Sequence, residues 1–413
     1  MRPSELDILQ RKTVKVLTSG QILGGFGLGS TLSIGSLLAA DLSGSEAWAG
    51  SAATFSTLGA ATWAIPLARL AFAKGRRVSL ATGAALAISG AMLVITAAAI
   101  HFFPLLLVAL FLLGGGSAVG LQARFAATDI PTEGSKARDL SIVVWATTIG
   151  AVIGPNMFGP GEIVGHALGL PTLTGPFLFT IMAQLGATTV FWFGLSPDPL
   201  LVAKSQQVEI KGIKPKVSFA SAIATLKAYP LAAFAVMSIA LSHMVMVSVM
   251  AMTPIHMKSM GYDLVVVGFT ISLHIAGMYA FSPIFGWFAD KFGRMRTILL
   301  GQLIYVAALA FAGFGADDRF LVTLGLFLLG LGWSASTVGG SALLTETLPP
   351  LEKTNVQGLS DSSMNLAGAF GGGVAGSILA VFAFVGVNAA ALIPVVLIVL
   401  AATFGKLKAP TAL

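Results

Sequence analysis

The chain has 413 residues, of which 56% are hydrophobic and only 10% charged, and its mean hydropathy is +0.89. A soluble domain carries about 25% charged residues, so this composition excludes an ordinary soluble fold and places the chain in the membrane class. The formal charge of +7 raises the question of where the basic residues fall, and the absence of cysteine excludes disulfides, zinc–thiolate sites and a thiol nucleophile.

Apolar segments long enough to cross about 30 Å of hydrocarbon recur twelve times. The first, 14–40, follows a basic N-terminus without a short signal-peptide core and is read as a retained helix. The next five are 47–73, 78–100, 104–126, 139–160 and 172–196. A polar stretch from Ser196 to Tyr229 carries five lysines, and six further spans follow at 230–254, 263–288, 297–315, 320–344, 356–384 and 385–405. The predicted organisation is an N-terminal six-helix bundle over 1–198, a basic linker over 199–229 and a C-terminal six-helix bundle over 230–413. With both termini cytoplasmic, every Lys and Arg except Lys258 and Arg319 falls on a cytoplasmic segment or helix end. That asymmetry is the positive-inside rule. The basic balance is therefore a topology signal, and nucleic acid is not an expected partner; the lipid bilayer is.

The two halves repeat in parallel. Residues Glu46–Arg76 align without gaps on Leu264–Arg294, matching Gly50 with Gly268, Gly59 with Gly277 and Ala71 with Ala289. A second echo joins "ATDIP" (Ala127–Pro131) to "ETLP" (Glu346–Pro349). Parallel six-span repeats are a transporter architecture, with substrate held near the midplane between repeats. Between the second and third spans of each half lies a charged hinge. The later copy reads "GWFADKFGRMR" (Gly286–Arg296); the earlier, "RLAFAKGRRV" (Arg69–Val78), has Phe72 in place of Asp290.

"GWFADKFGRMR" resembles the loop signature of the major facilitator superfamily, and the six-plus-six layout extends that resemblance to the whole chain. The resemblance implies an all-α membrane fold of 12 transmembrane helices in two pseudo-symmetric six-helix bundles. It also implies alternating access, a bacterial cytoplasmic (inner) membrane location and no enzymatic activity. Asp290 is expected to act as a latch with a base such as Arg124 or Arg138, and Asp129 to join Arg294 or Arg296. An exposed ion pair of this kind contributes about 0–1 kcal/mol, so its value lies in gating. In the fifth span, Gly150, Gly154 and Pro155 resemble the family's antiporter motif and predict a kink. The first helix offers only Gln21 in its core, where many proton-driven exporters of the family keep an acid.

Ionisable groups inside the membrane are costly and mark function. His243, His274 and Asp361 are the candidates for proton coupling. Helix seven is rich in methionine: His243, Met246 and Met250 share a face at i, i+3 and i+7, and His274 and Met278 sit at i, i+4 on helix eight. Thioether and neutral imidazole together select monovalent copper over hard cations. M-x-x-x-M and H-x-x-x-M on these two helices also resemble the CcoA-like copper importer branch, which makes Met246, Met250, His274 and Met278, with His243, the expected metal ligands and copper the expected cargo. Methionine is equally a flexible filler of apolar cavities. The alternative is therefore a proton-coupled transporter of small organic or hydrophobic compounds, either a multidrug-type exporter or a vitamin importer. A third possibility is a transporter-like sensor that moves nothing. Gln122, Trp145, Asn156, Tyr279, Trp333 and Asn365 are further polar or aromatic residues within the spans, each able to meet a solute or satisfy a helix contact. The chain is read as a monomer, without a resident cofactor.

Overall fold

The computed structural model describes residues 3–127, 129–130, 136–206, 219–348 and 350–405. Regular structure among them is entirely helical. In the first half run α1 (Pro3–Ser43), α2 (Ser51–Lys74), α3 (Arg76–Ala99), α4 (Phe103–Ala126), α5 (Lys136–Asn156), α6 (Phe158–Ala167), α7 (Gly175–Gly194) and α8 (Pro199–Gln206). Then follow α9 (Phe219–Ala228), α10 (Pro230–Ser259), α11 (Leu264–Tyr279), α12 (Ser282–Phe292), α13 (Arg294–Phe314), α14 (Arg319–Thr347) and α15 (Pro350–Phe404).

Local chemistry sets the boundaries. Proline occupies the first or second position of α7, α10 and α12, where its missing N–H has no intrahelical partner to lose. Asp318 caps α14 by accepting from the Phe320 and Leu321 amides. Two predicted spans are each built from two helices. The fifth breaks at Met157, immediately after Pro155 and Asn156, and the eighth breaks at Ala280–Phe281.

Eight helical stretches among the described residues are long and apolar enough to cross a bilayer. One of them, Val356–Phe404, has 49 residues, about 74 Å of helix against about 30 Å of hydrocarbon. It is interrupted by non-helical Ala383 (φ 55, ψ −170), where the sequence places the turn between its last two spans. α1, α2 and α5–α6 occupy the remaining predicted spans. α2 is rich in Ala, Ser, Thr and Gly and ends in Arg69 and Lys74, so length and hydropathy mark it less plainly than the Leu- and Phe-rich helices.

The chain divides into two compact units. The first comprises Met1–Lys211 with Gly261–Ser272, and the second Gly212–Met260 with Leu273–Leu413. The core of the first gathers Leu17, Leu80, Ala84, Ala123, Val143 and Phe191; that of the second gathers Phe234, Ala235, Ile298, Leu344, Val356 and Ile398. The repeat seen in sequence returns as packing. A Cβ at Gly59 on α2 would collide with the Phe111 carbonyl of α4, and one at Gly277 on α11 would press on the Phe327 carbonyl of α14. Glycine at these matched positions lets two helices approach backbone to backbone. At the far end of α10, His256 stacks on Phe384 at 4.4 Å and bonds the Ala316 carbonyl at 2.7 Å. His256 thus fastens α10 beside the turn at Ala383.

Candidate functional site

The charged hinge is written twice in the chain. In the first unit α2 ends at Lys74, the chain turns at Gly75 (φ 92) and α3 starts at Arg76. The Arg76 guanidinium donates to both oxygens of Asp129, Nε to Oδ2 at 2.7 Å and Nη2 to Oδ1 at 3.0 Å. Both side chains are well covered, at 14% and 10% exposure. This parallel two-bond geometry is the strong form of an ion pair. A second acid joins from the end of the bundle. Asp198 accepts from the Arg77 amide at 2.7 Å and also caps α8 through Leu200 and Leu201. Its carboxylate fills the space a side chain at residue 75 would need. Arg77 also lies 4.6 Å over the Trp192 ring.

In the second unit α12 ends at Phe292, the turn is Gly293 (φ 101), and α13 starts at Arg294. Arg294 meets two acids, Asp290 at 2.6 Å one turn back and Glu346 at 2.6 Å after α14. Here the acids are open to solvent, Asp290 at 74% and Glu346 at 55% exposure, and nothing lies within 4 Å of the Cβ position at Gly293.

Within the first unit Asp129 pairs with Arg76, and within the second Asp290 pairs with Arg294 of its own hinge. Arg124 lies half-buried in the last turn of α4, Arg296 is exposed in the first turn of α13, and the side chain of Arg138 lies outside the described residues. Arg76, Asp198 and Glu346 are functional candidates that motif reading passed over. The echo of "ATDIP" in "ETLP" was the available signal for Glu346, since both segments deliver an acid to the matching arginine.

The fifth span is interrupted just after Pro155. Gly150 and Gly154 press against the Ile22 and Phe26 carbonyls of α1. α5 ends one residue past Pro155. There the Val152 carbonyl accepts from Asn156 Nδ2 at 2.9 Å and from the Ser272 hydroxyl at 2.6 Å, while Asn156 Nδ2 also donates to Ser272 Oγ at 2.7 Å. Two side chains thus converge on one carbonyl in the last turn of α5.

The methionine–histidine candidates all lie in the second unit. Met246, Met250 and Met278 are buried, at 3%, 4% and 5% exposure. The two histidines are both oriented by α14, with opposite outcomes. The Trp333 indole N–H donates to His243 Nδ1 at 3.0 Å. Indole can only donate, so the ring proton of neutral His243 sits on Nε2, which faces Gly368 of α15. His274 is reversed: Nδ1–H donates to the Leu326 carbonyl at 2.7 Å, which leaves a bare lone pair on Nε2. That nitrogen is buried and has no hydrogen-bond partner among the described residues. His274 is thus presented as a ligand is, whereas both nitrogens of His243 are turned away from ligation in this arrangement. Among the described residues no three His, Asp or Glu side chains gather into a metal-holding group. Asp361, half-buried on α15, accepts the Asn365 side-chain amide through its backbone carbonyl at 2.8 Å.

Around His243 the rings form a cluster. Trp333 lies 6.2 Å from His243 and 5.5 Å from Tyr279, the latter edge to face. Of the other polar candidates, Gln122 is held by Ser79 and the Ala64 carbonyl, and Trp145 is 51% exposed.

Comparison with known proteins gives concordant results. The Major Facilitator Superfamily family model matches residues 236–412. The uncharacterized MFS-type transporter YddS of Bacillus subtilis (strain 168) is 37% identical over 92% of this chain and 87% of its own. YdeG of the same organism, also an uncharacterized MFS-type transporter, is 34% identical over 92% and 88%. The riboflavin transporter RfnT of Brucella anthropi is 27% identical over 89% of each chain. Among solved structures, a mutant of the nucleoside transporter NupG superposes with a TM-score of 0.72 at 16% identity, over 95% of this chain and 100% of that one.

Proposed function

Because the chain belongs to the major facilitator superfamily, we propose that it is a secondary transporter carrying a small organic solute across the bacterial inner membrane by alternating access. Its role is transport and not catalysis. The bundles over 1–198 and 230–413 act as the two rocking bodies, the basic linker 199–229 is cytoplasmic with both termini, and the working unit is a monomer.

The observation that carries this reading is the repeated hinge. Each copy places an arginine at the first residue of a helix and pairs it with an acid arriving about 52 residues later, Arg76 with Asp129 and Arg294 with Glu346. Paired charges at matched ends of a repeat suit a device with two stable positions. His243 is the favoured proton carrier, since a proton added at Nδ1 would expel the Trp333 N–H from that nitrogen; His274 and Asp361 are the remaining candidates. The organic class is supported by RfnT, a riboflavin transporter similar along most of the chain.

A second reading, copper import through Met246, Met250, His274 and Met278, is favoured by one observation: the bare, buried Nε2 of His274. Imidazole held by a carbonyl at one nitrogen is the usual stance of a metal ligand. Vesicles holding the purified chain separate the two. Uptake of labelled riboflavin or another organic solute that falls in Asp290→Asn supports the first reading. Uptake of monovalent copper lost in both Met246→Leu and His274→Leu overturns it in favour of the second.

A further inference from the structure

We propose that Trp333, Tyr279 and His243 form a stacking site for a planar heteroaromatic solute. This names the substrate class of the organic-solute reading above and rests on it.

Depth is the first argument. His243 lies 13 residues after Pro230 at the start of α10, about 20 Å along a 30-residue helix of about 45 Å. Trp333 lies 14 residues after Arg319 at the start of α14, about 21 Å along 29 residues. Tyr279 is the last residue of α11, at the break that splits the Leu264–Phe292 span near its middle. All three therefore sit at half depth on different helices, one of them interrupted at that level. Non-helical backbone at mid-membrane is tolerated where it is buried in protein or borders a watery path, and solute sites gather at such breaks.

Exposure is the second. Trp333 and Tyr279 are only partly buried, while His274, Met246, Met250 and Met278 are covered. Of these side chains the two rings are the accessible ones and the sulfurs the covered ones. The third argument is what the rings can offer. The only polar hydrogen of Trp333 is taken up by His243, which fixes the indole and leaves it a face to present. Tyr279 stands edge-on to it at 67°, making a corner and not a closed sandwich. Two π-faces meeting at a corner select flat ring systems, heteroaromatic ones included, over sugars and ions.

The test is equilibrium binding of lumiflavin and of adenosine to the full chain in nanodiscs, with mannitol as non-aromatic competitor. The expected result is retention of an aromatic probe, undisturbed by mannitol, and binding weakened about 5- to 150-fold in Trp333→Leu and in Tyr279→Leu. Trp333→Phe, which keeps a ring face and loses the N–H, should retain most of the affinity. Tyr279→Leu, beside an existing break, supplies the same reading should Trp333→Leu fail to fold. Binding of neither probe, or unchanged binding in both leucine variants, overturns the proposal. Vesicles that take up mannitol but neither ring compound overturn this inference alone; vesicles that take up only copper overturn the organic-solute reading beneath it.

Discussion

The two hinges follow one sequence pattern and differ in how their arginine is held. Arg76 is gripped by one covered acid in parallel bonds, and its turn is wedged by Asp198. Arg294 is shared between two exposed acids, and its turn stands open. Loss of the acid at Phe72 therefore did not leave the first copy without a counter-charge: Asp129 supplies it. The difference predicts separate duties. A covered two-bond pair is costly to open and resists solvent, so the first hinge is expected to act as a fixture. Exposed pairs are weak, salt-screened and quickly exchanged, so the second is expected to be the moving part.

Five substitutions would break or sharpen this contrast. The largest effect is expected for Asp129→Ala, which strands the Arg76 guanidinium with only 14% exposure; stability should fall by about 3–5 kcal/mol, read from loss of the folded peak on heating in detergent. Next is Asp290→Asn, for which vesicle transport should drop several-fold while stability moves by less than about 1 kcal/mol. Parallel losses of stability in both variants would remove the division of labour. Third, Gly75→Ala should cost more than Gly293→Ala. Both force a side chain into positive φ at about 1–2 kcal/mol, but only the former also displaces Asp198, so the melting shift should be the larger. The smallest effect is expected for Phe72→Asp, which restores the lost acid one turn before an arginine already occupied; transport should stay within about twofold, within the range of an exposed pair. A marked gain there would mean the first hinge also gates.

Much of this was legible in the sequence. Apolar length located the spans, because a bilayer demands it, and the gapless match of Glu46–Arg76 with Leu264–Arg294 foretold that Gly59 and Gly277 would pack alike. Partner choice at the hinges was not legible. Family resemblance pointed to charges across halves, while the acids that both hinges share in kind, Asp129 and Glu346, lie 53 and 52 residues downstream of their arginines, a distance that the return of the fourth helix of each half brings close. The protonation pattern of the two histidines was equally hidden. His243 and His274 look alike in sequence, and what separates them is whether α14 offers an indole N–H or a carbonyl oxygen.

α14 thus reads like a ruler laid against two labels with opposite colours. One imidazole carries its hydrogen on Nε2 and the other on Nδ1, so their ring ¹⁵N resonances fall in inverse order in a spectrum of selectively labelled protein. A slide or rotation of α14 would disturb both at once, in contrary senses, whereas a change confined to α10 would move one and leave the other still. The chain carries within a single helix its own internal standard for following the motion that transport requires.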